Sequence, residues 1–76
     1  MMVSYYIDDD QTRTVVSETV AIRHSKSIGR YYVETWHAGR GGVKPHWHSA
    51  PKAVYEDFPS AVRYADVLRR RHEGLI

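Results

Sequence analysis

Three histidines form the clearest pattern of metal-ligating residues in this chain. His46 and His48 flank Trp47, and His37 precedes them across the glycine-rich segment 39–42. Side chains alternate between faces along an extended chain, so His46 and His48 share a face, and a hairpin would bring His37 beside them. Three imidazole nitrogens suit zinc or copper. The simpler alternative is that two exposed histidines flank a tryptophan. We favour that alternative and expect no cofactor.

Basic and aromatic residues alternate along segment 30–37. Tyr31 and Val33 have one parity, whereas Arg30, Tyr32, Glu34 and Trp36 have the other. If the first parity packs in the core, the second faces outward, where arginines can contact phosphates and aromatic rings can stack on bases. Glu34 interrupts this row and is expected to pair with Arg23 or Arg30 across strands. Two alternatives stay open: a protein partner covers this face, or the parity is reversed and Trp36 is buried.

The expected contacts with nucleic acid or another partner come from the sheet and from the helix. In this hypothesis the phosphates are bound by Arg23, Arg30 and Lys44, with Arg63 and Arg70 adding contacts from the helix. Tyr32 and Trp36 stack on bases or wedge between them. The run Arg69-Arg70-Arg71 can instead have a purely structural role, because cations in the last helical turn stabilise the helix through its dipole.

The composition lowers the expectation of an enzyme. A chain of 76 residues buries only about 60% of the surface that its unfolded form exposes, which leaves little room for both a core and a deep cleft. No phosphate-binding loop or serine elbow occurs, and the lack of cysteine excludes disulfides and thiol chemistry. Residues 21–76 hold ten basic against five acidic residues, which suits a polyanionic partner.

The order of the predicted elements is sheet first and helix last. The β-prone run 12–24 contains either a bulge near Ser17-Glu18 or two short strands that meet there. Residues 1–11 are either a flexible acidic leader or an edge strand. Pro45 and Pro51 bar a regular central strand, so the return strand is either at an edge of the sheet or broken in two. Extended chain is expected near residues 44–48 and again near 53–56.

One amphipathic helix is predicted at the C-terminal end. Asp57 or Ser60 can cap it, and Pro59 suits its first turn. The apolar stripe then consists of Ala61, Tyr64, Ala65, Leu68 and His72. Gly74 is suited to the position after the helix, so the helix should end near Glu73.

Part of the chain resembles a class of small DNA-binding domains. The residues that carry the resemblance are Arg30, Tyr32 and Trp36 in one strand, then Phe58 and the segment 61–65 (AVRYA). This class comprises the arm-type N-terminal domains of tyrosine recombinases and the plant ethylene-response-factor domains. The resemblance covers about 45 residues. It implies three antiparallel strands packed on one helix, with Arg30, Tyr32 and Trp36 facing a DNA groove.

The sequence therefore predicts a single α+β domain over residues 1–76, with an antiparallel sheet of three or four strands and one C-terminal helix on one face. The expected core consists of Val16, Val20, Ile22, Tyr31, Val33, Phe58, Ala61, Tyr64, Ala65 and Leu68. The favoured function is non-enzymatic binding of nucleic acid. The alternatives are a small protein-binding inhibitor or adaptor, including a homodimer that buries the same face, and a metal-binding protein that uses the three histidines. No signal peptide or membrane segment is evident, so a cytoplasmic location is expected.

Overall fold

In the computed structural model, which describes residues 2–74, five strands precede one helix. The elements are β1 (Val3–Tyr6), β2 (Gln11–Val15), β3 (Val20–Ser25), β4 (Arg30–His37), β5 (His46–Tyr55) and α1 (Phe58–His72). The strands form one antiparallel sheet in the order β1-β2-β3-β4-β5. The predicted class, an antiparallel sheet with one C-terminal helix, is confirmed. The predicted number of three or four strands was too low.

The additional strands come from the N-terminal third of the chain. The β-prone run divides into β2 and β3 because the backbone N–H groups of Val16 and Ser17 both donate to the carbonyl of Val20, at 2.9 and 3.0 Å. β1 pairs with β2 and forms one edge of the sheet. The carboxylate of Asp8 accepts from the backbone N–H groups of Asp10 and Gln11, at 2.8 Å each, and thereby closes the turn between these strands.

The return strand is a bulged edge strand rather than two separate strands: Pro45 precedes β5 and Pro51 lies within the bulge. Glu34 lies opposite Ser49, but Tyr32 lies opposite Val54, so β5 carries extra residues between these two pairs. Lys52 has a φ of 60° within this bulge. Pro51 cannot donate to the ladder, and a bulge at the edge of the sheet removes the need for that hydrogen bond. The bulge also places Ala53 in the core, where it is buried.

The helix begins and ends as its sequence predicts. Asp57 is the N-cap, and its carboxylate accepts from the backbone N–H of Ser60 at 2.8 Å and from the Ser60 hydroxyl at 3.1 Å. These hydrogen bonds hold the pKa of Asp57 below its ordinary value. Glu73 caps the C-terminus, and Gly74 follows with a φ of +73°, the left-handed conformation that favours glycine there.

The core lies between the helix and one face of the sheet. Its buried residues are Val20, Ile22, Val33, Ala53, Ala61, Ala65 and Leu68, and the partly buried residues packed on them include Val16, Tyr31, Phe58 and Tyr64. All ten predicted core residues are confirmed, whereas Ala53 was missed. The helix packs on β3, β4 and β5, and its small alanines allow a close approach. No helix within the described residues is long and apolar enough to cross a membrane.

Candidate functional site

The sheet face opposite the helix carries most of the residues expected to bind a partner, and we call it the open face. Its residues come from all five strands: Tyr5, Gln11, Arg13, Ala21, Arg23, Tyr32, Glu34, Trp36, Trp47 and Ser49. Strand pairing arranges them in rows. Arg23 lies between Arg13 and Tyr32 in one row, and Trp36 lies directly opposite Trp47 in another. The outward parity of β4 is therefore the one that holds Tyr32 and Trp36.

A buried carboxylate lies at the centre of the open face. Glu34 is only 3% exposed, and its two oxygens accept from Arg13 Nε at 2.8 Å and from Arg23 Nε at 3.1 Å. A carboxylate removed from water requires such partners. Burial lowers the pKa of Arg13, but hydrogen bonds to Glu34 and Tyr5 outweigh it, so the pKa is raised above its ordinary value. Both arginines are fixed cations with one shared counterion.

The arginines also contact the aromatic rings of this face. The guanidinium of Arg23 lies 4.4 Å from the ring centre of Tyr32, and that of Arg13 lies 5.8 Å from Trp47 and 5.9 Å from Tyr5. Arg13 also donates to the Tyr5 hydroxyl at 3.1 Å. Cation–π contacts of this kind hold ring and guanidinium together. The open face is thus a connected network from β1 to β5 rather than a row of free side chains.

Two tryptophans are direct neighbours on the open face. Trp36 and Trp47 meet edge to face, with ring centres 5.2 Å apart. Trp36 is 41% exposed, and Trp47 is half-buried. Edge-to-face packing leaves part of a ring face accessible. A planar group could therefore stack on this pair while the rings stay in place.

The predicted binding residues divide between the two sides of the molecule. Arg23, Tyr32 and Trp36 lie together on the open face. Arg30 is exposed at the start of β4 with the same parity, and Lys44 is exposed in the connection that leads into β5. Within residues 2–74, neither of these two cations pairs with a carboxylate.

The two helical arginines do not lie with the others. The helix covers the opposite face of the sheet, so Arg63 and Arg70 point away from Tyr32 and Trp36. Arg70 pairs with Asp66 at 3.0 Å, and Arg63 donates to the Ser60 hydroxyl at 3.3 Å. One ligand on the open face cannot reach them.

Sequence reasoning missed several residues of the open face. Arg13, Tyr5 and Gln11 were not singled out because the sequence leaves open whether residues 1–11 form an edge strand and whether the run 12–24 forms one strand or two. Once β2 pairs with β3, Arg13 lies directly opposite Arg23, and that register is the signal that would have identified it. Trp47 was treated as a spacer between two histidines, although strand parity places it on the face of Trp36.

The three histidines lie on the other side of the same two strands. His37 is paired with His46, and His48 follows on the same face. The ring centres of His37 and His46 are 5.1 Å apart. The ring centre of His48 lies 6.4 Å from that of His37 and 6.3 Å from that of His46. Among residues 2–74, no group of three or more His, Asp or Glu side chains is arranged so that it could hold a metal ion. The two remaining histidines are separate: His24 stacks on Tyr31, and His72 bonds Thr19.

Comparison of the chain with protein-family models, with curated proteins and with solved structures finds no match. The resemblance to recombinase arms and ethylene-response-factor domains therefore stays a prediction.

Proposed function

We propose that this chain is a small non-enzymatic module that binds single-stranded nucleic acid through its open face. The observation that carries the proposal is the Trp36–Trp47 pair, part-exposed on the same face as Tyr32 and close to Arg13, which its ion pair with Glu34 holds in place. Successive bases stack on such aromatic platforms, and each contributes about 1–3 kcal/mol. Fixed rings lose little side-chain entropy when a base stacks on them, which favours binding.

The width of the sheet favours a single strand over a duplex. Neighbouring strands lie about 4.8 Å apart, so four intervals between five strands span roughly 19 Å. The major groove of DNA is about 12 Å wide and admits a helix or a two-stranded ribbon. Three strands would nearly match that width, as the resemblance implied, but the full five-stranded face does not. Flexible single-stranded bases, in contrast, can lie across it.

The charges of the open face imply that the affinity for nucleic acid depends only moderately on salt concentration. Arg13, Arg23 and Glu34 together carry a charge of +1, so phosphate contacts fall mainly to the peripheral Arg30 and Lys44. For single strands, log K falls with log salt concentration with a slope of about −0.7 per phosphate neutralised. Two such contacts predict that doubling the salt weakens binding by about 2.6-fold.

A matched pair of arginine variants tests whether nucleic acid binds at the open face. Both Arg30 and Arg63 are exposed cations outside ion pairs of residues 2–74, but they lie on opposite sides of the sheet. Fluorescence anisotropy with labelled single-stranded DNA, single-stranded RNA and duplexes should show weaker binding for Arg30→Ala. Arg63→Ala should bind like the wild type. Equal losses would indicate a non-specific effect of charge and contradict the proposal.

The same face also suits a protein partner, because Trp, Tyr and Arg are the residue types enriched at interface hot spots. The neutralisation of one arginine by Glu34 favours this second candidate over a purely electrostatic partner. A protein-binding function would be indicated by self-association that depends on Trp36 in sedimentation velocity. It would also be indicated by Trp36-dependent capture of a protein, without salt-dependent binding of oligonucleotides. Either result would replace the nucleic-acid proposal.

A further inference from the structure

The histidine cluster lies at the hairpin end of β4 and β5, on the side of the sheet away from Trp36 and Trp47. His37 and His46 are direct cross-strand partners, and all three histidines are exposed. Their ring centres form a triangle with sides of 5.1, 6.3 and 6.4 Å. His37 and His46 are stacked with an interplanar angle of 29°, so the three rings do not converge as they stand. A shared ion would require these exposed side chains to rotate toward one point.

The triangle is close to the size that a metal site requires. A zinc–nitrogen bond of about 2.1 Å puts each ring centre roughly 3.2 Å from the ion. Two rings at a tetrahedral angle are then about 5 Å apart. The His37–His46 separation already equals this value. The two separations to His48 exceed it by about 1 Å, which a change in the side-chain torsions of an exposed histidine can supply.

Hydrogen bonds indicate which ring nitrogen carries the proton in His46 and in His37. The Nδ1 of His46 lies 2.8 Å from the carbonyl oxygen of Lys44, and since a carbonyl only accepts, Nδ1 carries the proton and Nε2 has a free lone pair. Metal-bound histidines usually make this second contact. The Nδ1 of His37 accepts from the backbone N–H of Gly39 at 3.1 Å. His37 must therefore exchange that bond to present its Nε2 lone pair, whereas His46 need not.

We propose that His37, His46 and His48 bind one divalent transition-metal ion of the zinc–copper group, with a fourth position left to water or an outside ligand. Three neutral imidazoles without a thiolate suit these ions. His46 already has the hydrogen bond on Nδ1 that a metal-bound histidine makes, and binding requires the three side chains to rotate until their Nε2 atoms meet. The ion thereby links β4 to β5 on the side opposite the tryptophans. This site is independent of the proposed function of the open face.

The test is titration of metal-free protein with zinc, followed by isothermal calorimetry and by elemental analysis after dialysis. The wild type should bind one zinc per chain. His48→Gln should weaken binding by about tenfold or more, while the matched change His72→Gln, which removes an isolated histidine, should leave binding unchanged. The site would be contradicted by a lack of stoichiometric zinc, by half a zinc per chain, or by equal losses in the two variants.

Two further readouts do not depend on oligonucleotide binding. Copper(II) should quench the emission of Trp36 and Trp47, which are neighbours of the histidines in sequence, and removal of the copper with a chelator should restore it. A zinc concentration of one hundred times Kd should raise the Tm by roughly 10 °C or more. Trp36→Ala should keep full zinc affinity whether or not it loses oligonucleotide binding, so failure of one proposal leaves the other intact. An unchanged Tm at saturating zinc would contradict the site.

Discussion

Arg13 and Glu34 lie on strands separated by a third strand, yet Arg13 Nε donates to Glu34 Oε1 at 2.8 Å across it. The intervening strand allows this contact because the small residue Ala21 lies opposite Glu34. Ala21 is fully buried on the open face. The ion pair thus links β2 to β4 above β3, and Arg23 approaches the other carboxylate oxygen from β3 itself.

Glu34→Ala should destabilise the fold by about 2–3 kcal/mol, because it leaves two half-buried arginines without their counterion. This value is below the usual cost of breaking a fully buried pair, since the arginine side chains retain 16% and 22% exposure. Urea unfolding measures the loss. Glu56→Ala, at an exposed position, serves as the control. A Glu34→Ala variant as stable as the control would show that the ion pairs contribute nothing.

Glu34→Gln should strengthen oligonucleotide binding and make it more sensitive to salt. The substitution keeps the shape of the side chain but frees the charge of Arg13 and Arg23. Each additional phosphate contact steepens the salt slope by about 0.7. Anisotropy titrations at several salt concentrations measure this slope. An unchanged slope would mean that these arginines do not face the ligand.

Gly39→Ala should destabilise the hairpin that joins β4 to β5. Gly39 has a φ of +85°, and an added Cβ would lie 2.5 Å from the carbonyl oxygen of Val43 and 2.9 Å from the nitrogen of Pro45. Gly41 also has a positive φ, of +57°, but a Cβ there meets nothing within 4 Å. Gly41→Ala should therefore lose about 1 kcal/mol, and Gly39→Ala should lose more. Thermal unfolding compares them, and equal Tm values would contradict the contact.

Three aspartates should make the protein less stable in acid. Hydrogen bonds from Ser25 and Ser27 lower the pKa of Asp10, those from Ser60 lower that of Asp57, and Arg69 lowers that of Asp66. Each folded-state pKa is below the ordinary value of 3.8. The stability is therefore present above about pH 4 and lost as the pH falls through the lowered values.

Urea unfolding between pH 2 and pH 6 measures this loss. Asp10→Asn should flatten the decline relative to the wild type, because it removes one of the titrating groups. Asp9→Asn, a change at a neighbouring exposed aspartate, is the matched control. An identical decline in Asp10→Asn and the wild type would contradict the assigned role of Asp10.

The helix and the core could be predicted from sequence because their signals are local. The cap at Asp57, the glycine at position 74 and the spacing of Ala61, Ala65 and Leu68 each depend on near neighbours. The strand count could not be predicted, because the division between β2 and β3 depends on two hydrogen bonds to Val20. The place of Arg13 in the site depends on register across three strands, which no short pattern encodes.

The size of the bulge in β5 also could not be predicted from local sequence. Pro51 indicated an interruption, but the number of extra residues is set by the pairing of Tyr32 with Val54 and of Glu34 with Ser49. An odd offset reverses which face the following residues occupy. Ala53 was missed from the core for this reason.

The most direct test of the open face uses the chain's own fluorescence. Its two tryptophans, Trp36 and Trp47, both lie on that face, so unlabelled single-stranded oligonucleotide can be titrated while their emission is recorded. We expect saturable quenching by base stacking, and Trp36→Phe and Trp47→Phe should each keep part of the signal. Binding detected by anisotropy without any change in tryptophan emission would place the ligand elsewhere and contradict binding at the open face.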